Sequence, residues 1–168
     1  MATYTLIEAK TLSASAASVT FSSIPATYTD LVVRMSTRSD AVTANMSITI
    51  NSFTSGYSQT YMYGSGTSAA SGRITGAASF TPIAINASSH TANTFASTEI
   101  YIPSYTASQN KPISLYSVIE VDSATTNYIF PEAELLSQTA AISSITFAGS
   151  TGNMVTGSSF YLYGISNA

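Results

Sequence analysis

The chain has 168 residues, no cysteine, a net charge of −3, and charged side chains at only 8% of its positions. That length fits one domain, residues 1–168, with a genuine core. The absence of cysteine excludes disulfides and thiolate metal sites. The five basic residues, Lys10, Arg34, Arg38, Arg73 and Lys111, are scattered, which argues against direct nucleic-acid binding, since that needs clustered phosphate neutralisation.

No apolar run approaches the roughly 20 residues of a membrane-spanning helix. The first ten residues, MATYTLIEAK, lack the basic and apolar regions of a cleavable signal. Serine and threonine make up about a third of the chain, so the expected surface is polar but nearly uncharged. Weak self-repulsion favours association with partners.

Apolar and polar residues alternate with period two over much of the chain, the pattern of half-buried strands. Residues 2–9 set Tyr4, Leu6 and Glu8 against Thr5, Ile7 and Ala9. Residues 19–21 form a short strand, and 24–30 a turn. Residues 31–38 are amphipathic, with Leu31, Val33 and Met35 facing in and Val32, Arg34, Ser36 and Arg38 opposite. Residues 46–50 alternate again, and residues 57–63 put Tyr57, Gln59, Tyr61 and Tyr63 on one face. The Gly/Ser/Ala-rich stretch 64–76 reads as a loop. Residues 80–86 read as a short strand and 87–93 as a loop.

Residues 95–121 form the central hairpin, whose arms are closed by Pro103 and opened by Pro112, positions that tolerate a missing donor. Its turn, 104–111, is rich in turn-forming residues. A turn is expected at 122–126, then a strand at 127–130 ended by Pro131. Residues 132–138 fit a strand or a helical turn. Residues 141–148 and 160–165 supply the last strands, separated by a turn-rich connection. Eight to ten strands with no long helix predict an all-β antiparallel sandwich, most simply a jelly roll.

Few residues suggest chemistry. His90, the only histidine, lies in a loop with no nucleophile motif, and no Gly-x-Ser-x-Gly elbow exists. Paired carboxylates can hydrolyse glycosides. Glu132 and Glu134 would share a face on a strand, while Glu99 and Glu120 sit on the two hairpin arms. Glu99 could equally pair with Lys111. Tyr57, Tyr61 and Tyr63 could stack on a glycan or line a protein interface. The hairpin turn, with Tyr105, Gln109 and Lys111, is a further candidate contact with a partner. No cofactor, metal or enzymatic activity is expected.

Three blocks carry a family resemblance. They are residues 15–40 (SAASVTFSSIPATYTDLVVRMSTRSD), 94–111 (TFASTEIYIPSYTASQNK) and 141–165 (AISSITFAGSTGNMVTGSSFYLYGI). In sequence and order they resemble small virion structural proteins of tailed bacteriophages and cyanophages. The resemblance implies a jelly-roll-like protein of the virion with no catalytic motif. It would be a capsid decoration, or cement, protein bound to the major capsid protein and to copies of itself, by analogy a homo-trimer. The alternative it implies is a receptor- or glycan-binding module of a tail fibre or tail tip.

Overall fold

The computed structural model describes residues 2–123 and 127–166. Twelve strands form two antiparallel sheets among these residues. They are β1 (Thr3–Thr11), β2 (Ser18–Phe21), β3 (Asp30–Thr37), β4 (Asn45–Ile50), β5 (Tyr57–Ser65), β6 (Ser68–Ala77), β7 (Phe80–Ala84), β8 (Ala96–Ile102), β9 (Lys111–Ile119), β10 (Tyr128–Leu136), β11 (Ile145–Gly149) and β12 (Ser159–Ser166). The larger sheet has the order β1-β12-β3-β8-β9-β10-β5-β6, and the smaller β2-β11-β4-β7. The molecule is a β-sandwich, as the alternating pattern predicts.

The core lies between the sheets. Leu31, Val33 and Met35 of β3, Ile100 and Ile102 of β8, Ile113 and Leu115 of β9, and Phe160 and Leu162 of β12 are buried on one side. Phe21, Met46, Ile48, Ile50, Phe80, Ile145 and Phe147 of the smaller sheet are buried in the same cluster. The Phe147 ring meets Phe21 edge-on at 6.1 Å and Phe160 at 5.5 Å. Aromatic and β-branched residues suit this role, because they fill space above a pleated surface.

Three sequence expectations need correction. The count of eight to ten strands is low, because twelve are present. Residues 64–76 are not a loop: β5 continues to Ser65, and β6 pairs with it from Ser68 to Ala77. As an edge strand, β6 needs a ladder on one side only, so Ala, Ser and Gly serve without an alternating pattern.

Nor does Pro131 end its strand. β10 runs through it to Leu136, which also settles Glu132–Leu136 as strand. The ladder from β10 to β9 is unbroken, but the ladder to β5 skips Phe130 and Pro131. The donor that proline lacks falls in that gap. Of the turn expected at 122–126, residues 124–126 lie outside the described residues.

Candidate functional site

Two surfaces of the larger sheet merit attention. The first is the outer face of β3, β8, β9, β10 and β5. Register places Tyr116 beside Glu99 on β8 and Pro131 on β10, and Ile129 beside Val118 on β9. Met62 is 58% exposed, Ile129 54% and Tyr116 48%, and Leu135 and Tyr101 are also exposed. The exposed charges on these strands' outer faces are Arg34 and Glu99, which bond each other at 2.8 Å. Asp30, at the end of β3, is buried and accepts bonds from the Tyr101 hydroxyl at 2.9 Å and the Ser104 N–H at 2.8 Å. This face is broad, apolar and electrically quiet. Scattered exposed apolar residues are ordinary, but a contiguous group is a feature of interaction sites.

The second surface is the inner face toward β10, β5 and β6. The smaller sheet has half as many strands, and its edge strand β7 packs on β9, β10 and β5. Gln59 ties the layers together. Its Oε1 accepts the Thr81 N–H at 2.9 Å, and its Nε2 donates to Glu132 Oε2 at 3.1 Å.

Glu132 and Glu134 share the inner face, as a strand requires, and both are buried. Glu132 Oε1 and both Glu134 oxygens have no hydrogen-bond partner. Glu134 borders an apolar void of about 10 Å³, lined among others by Val33, Ile48 and Phe80, which is too small for a comfortably bonded water. Burial raises the Glu132 carboxyl to about 8. Glu134 is raised well above its ordinary value by burial and then by the neighbouring Glu132 charge. A buried carboxyl without a partner keeps its proton. The pair is therefore neutral and walled in at neutral pH, in contrast to the solvent-reachable pair of a glycoside hydrolase.

Beyond this pair the inner face becomes aromatic. The Phe130 ring stacks with Tyr61 at 5.4 Å and with Tyr63 at 5.6 Å. Tyr128 meets Tyr63 at 6.3 Å. Tyr61, Tyr63 and Tyr128 are half-buried. Tyr61 reaches over Gly72 of β6, where a Cβ would lie 2.5 Å from its hydroxyl. Period two puts Tyr61 and Tyr63 together on one strand and Tyr128 and Phe130 on another, but the pairing of β10 with β5 that joins the two sets is a long-range contact the alternation does not record.

The structure separates the other predicted contact residues. Tyr57 shares the face of Tyr61 and Tyr63 but is buried under Phe80, ring centroids 4.8 Å apart. Its hydroxyl accepts the Ile50 N–H at 2.8 Å, so it is core and not a contact. Tyr105 is fully buried, donating to the Pro25 carbonyl. Lys111 is also buried. Its Nζ donates to the carbonyls of Ala107 at 2.6 Å, Gln109, and Thr139 at 3.3 Å, which closes the hairpin turn from inside. Burial pushes its amino group below the ordinary lysine value. Glu99 pairs with Arg34 and not with Lys111. Of the turn residues proposed as contacts, Gln109 is exposed.

His90 is held by its own loop. Its Nδ1 accepts the Ala87 N–H at 3.1 Å. The Arg38 guanidinium donates to the carbonyls of Thr91 at 2.8 Å, Thr94 at 3.0 Å, His90 at 3.0 Å and Ser88 at 3.3 Å. One arginine thus fixes the segment that carries the histidine. Among the described residues no group of three or more His, Cys, Asp or Glu could hold a metal ion. Compared with protein-family models, with curated proteins and with solved structures, the chain finds no match in any of the three.

Proposed function

We propose that this is a virion structural protein, a non-enzymatic decoration protein that stabilises a phage head by binding the major capsid protein and copies of itself. The observation that carries the reading is the outer face of the larger sheet. Tyr116, Ile129, Met62 and Leu135 stand exposed there, its Arg34–Glu99 ion pair is internally neutralised, and the exposed Arg73 of β6 stands at its margin beside Leu135. Such a face gains by burial in an assembly. Binding only to the assembled head would stabilise it by mass action.

The strand order supports the jelly-roll form. When an eight-stranded antiparallel ribbon is rolled up, its strands fall into the sheets 1-8-3-6 and 2-7-4-5. Numbering β2 as 1 and β11 as 8, with the meander β8-β9-β10 as 7, gives these two orders. β1 and β12 then extend the second sheet beside β3. Three strands in place of one preserve the alternation of direction.

The test is incorporation. Tyr116→Asp and Ile129→Asp should leave the melting temperature unchanged and weaken binding to heads lacking the protein by at least about tenfold. Unaltered binding by both variants would overturn the use of this face. Native heads should carry hundreds of copies and rupture at lower temperature when the protein is removed. A few copies at the tail would instead mark a receptor-binding module.

A further inference from the structure

At the aromatic end of the sandwich a cleft of about 480 Å³ opens between the two sheets. Val42, Thr43, Ala44 and Asn45 form one wall, Ala84, Ile85 and Ala87 with Ser89 and His90 another, and Ile119, Tyr128 and Phe130 the third. The volume lies in the range of small-ligand sites. We infer that this cleft binds an uncharged saccharide.

Three features lead to that ligand class. First, the wall is aromatic and braced: Phe130 is held between Tyr61 and Tyr63, and Tyr128 rests against Tyr63. The half-buried Tyr128, next to aliphatic Ile119, offers apolar contact to the C–H face of a sugar ring,. Second, the polar groups are neutral and sit on the opposite side. Asn45 is an exposed amide that can both donate and accept,. With His90 Nδ1 accepting from Ala87, the ring proton belongs on Nε2, so the imidazole offers one donor of fixed position,. The Arg38 clasp on the carbonyls of residues 88–94 holds that donor in place.

Third, no lysine, arginine, aspartate or glutamate lines the cleft. A phosphate, carboxylate or amine on the ligand would lose its hydration and gain no counter-charge. An apolar ring with hydroxyls round its rim meets both walls without that loss. The predicted stack Tyr57, Tyr61 and Tyr63 is thereby replaced: the first is core, the other two brace the wall, and Tyr128 faces the ligand.

The test is a titration of the whole protein with neutral gluco-, manno- and galacto-trisaccharides, followed by amide chemical shifts. At least one should saturate with a Kd of about 0.1–10 mM, with shifts concentrated at residues 42–45, 84–90 and 128–130. Tyr128→Ala should weaken binding roughly tenfold. Asn45→Ala, on the exposed opposite wall, should weaken it several-fold with an unchanged melting curve, so the outcome does not hang on the folding of one variant. The 6-phosphate of a bound sugar should bind no tighter than the neutral form. No saturable shift with any trisaccharide, shifts outside these segments, unchanged binding in both variants, or a preference for the phosphorylated sugar would each overturn the inference.

Discussion

Between β12 and β9 the inner face of the large sheet is mainly apolar, with Phe160, Leu162, Leu31, Val33, Ile100 and Leu115; between β10 and β5 the same face carries Glu132, Glu134, Gln59, Tyr61 and Tyr63 beside the buried Phe130, Leu136 and Tyr57. The backbone is equally regular in both regions, so the difference lies in what covers them. The first region lies under the body of the smaller sheet and is filled mainly by apolar groups; its buried hydroxyls Thr98 and Ser117 bond each other at 2.9 Å, and Ser117 donates to the Ala84 carbonyl at 2.8 Å. The second lies at and beyond its edge strand, β7, where carboxyls survive by keeping their protons and tyrosines keep part of their rings in contact with solvent. A sheet twice as wide as its cover has a margin beyond β7, and the saccharide cleft opens there, whereas the acid pair lies under β7 itself, with Glu134 against the void lined by Val33, Ile48 and Phe80.

The comparison can be broken most forcefully in the dry region. Phe160 is fully buried against Phe147. Phe160→Ala should cost about 3–5 kcal/mol in urea unfolding. A cost below 1 kcal/mol would mean that the region is looser than its packing. Gln59→Leu tests the tie at the margin. It strands the Thr81 N–H and Glu132 Oε2 and should cost about 1–3 kcal/mol,. If stability is unchanged, β7 is held by other means.

Glu134→Leu should act with the opposite sign, stabilising by about 1–2 kcal/mol at pH 8, because it removes a buried carboxyl with no partner,. The same pair sets the pH dependence. The folded protein holds protons on Glu132 up to about pH 8, and on Glu134 beyond its ordinary range, whereas an unfolded carboxyl releases its proton near 4.5. The stability from this pair is full below about 4.5 and declines as pH rises toward 8, by up to about 1.4 kcal/mol per pH unit and group. Melting temperatures should therefore be higher at pH 5 than at pH 8, and Glu134→Leu should flatten the slope. A wild-type protein more stable at pH 8 would contradict protonated burial.

The smallest effect belongs to the outer face. The Arg34–Glu99 pair has both side chains more than half exposed, so Arg34→Ala should change stability by less than about 1 kcal/mol. A larger loss would show that the outer face helps hold the sheet and is not free for a partner.

The sequence made the dry region legible and the margin less so, for a physical reason. Burial on one face writes period two into residues 31–37, 96–102 and 111–119, and those strands stand where the alternation places them. β6 carries little such record, because its inner face is only partly covered, at Gly72, Ile74 and Ala77. Pro131 hid the second half of β10, since its tolerance depends on a gap in one ladder that only the fold reveals. The neighbours Glu132 and Glu134 could be put on one face, but not beneath a roof, because the roof is β7, some fifty residues earlier in the chain. Lys111 and Tyr105 were misplaced for the same reason: residue type suggested surface, while carbonyls supplied by the turn and by Pro25 made the interior acceptable.

The pairing of β2 with β11 has a consequence for how the molecule comes to be. Thr20 and Thr146 share a hydroxyl contact at 2.9 Å across 126 residues of chain. β1 likewise pairs with β12. Neither sheet can close locally; each waits for a partner from the far end of the domain. Such long-range topology places folding on the order of milliseconds to seconds. During that time open strand edges rich in serine and threonine stand unpaired, exposed to neighbouring chains made at the same moment. A chain made in many copies at once would therefore meet its own kind while half-formed, and the low charge that suits an assembled surface would offer little to keep those encounters apart.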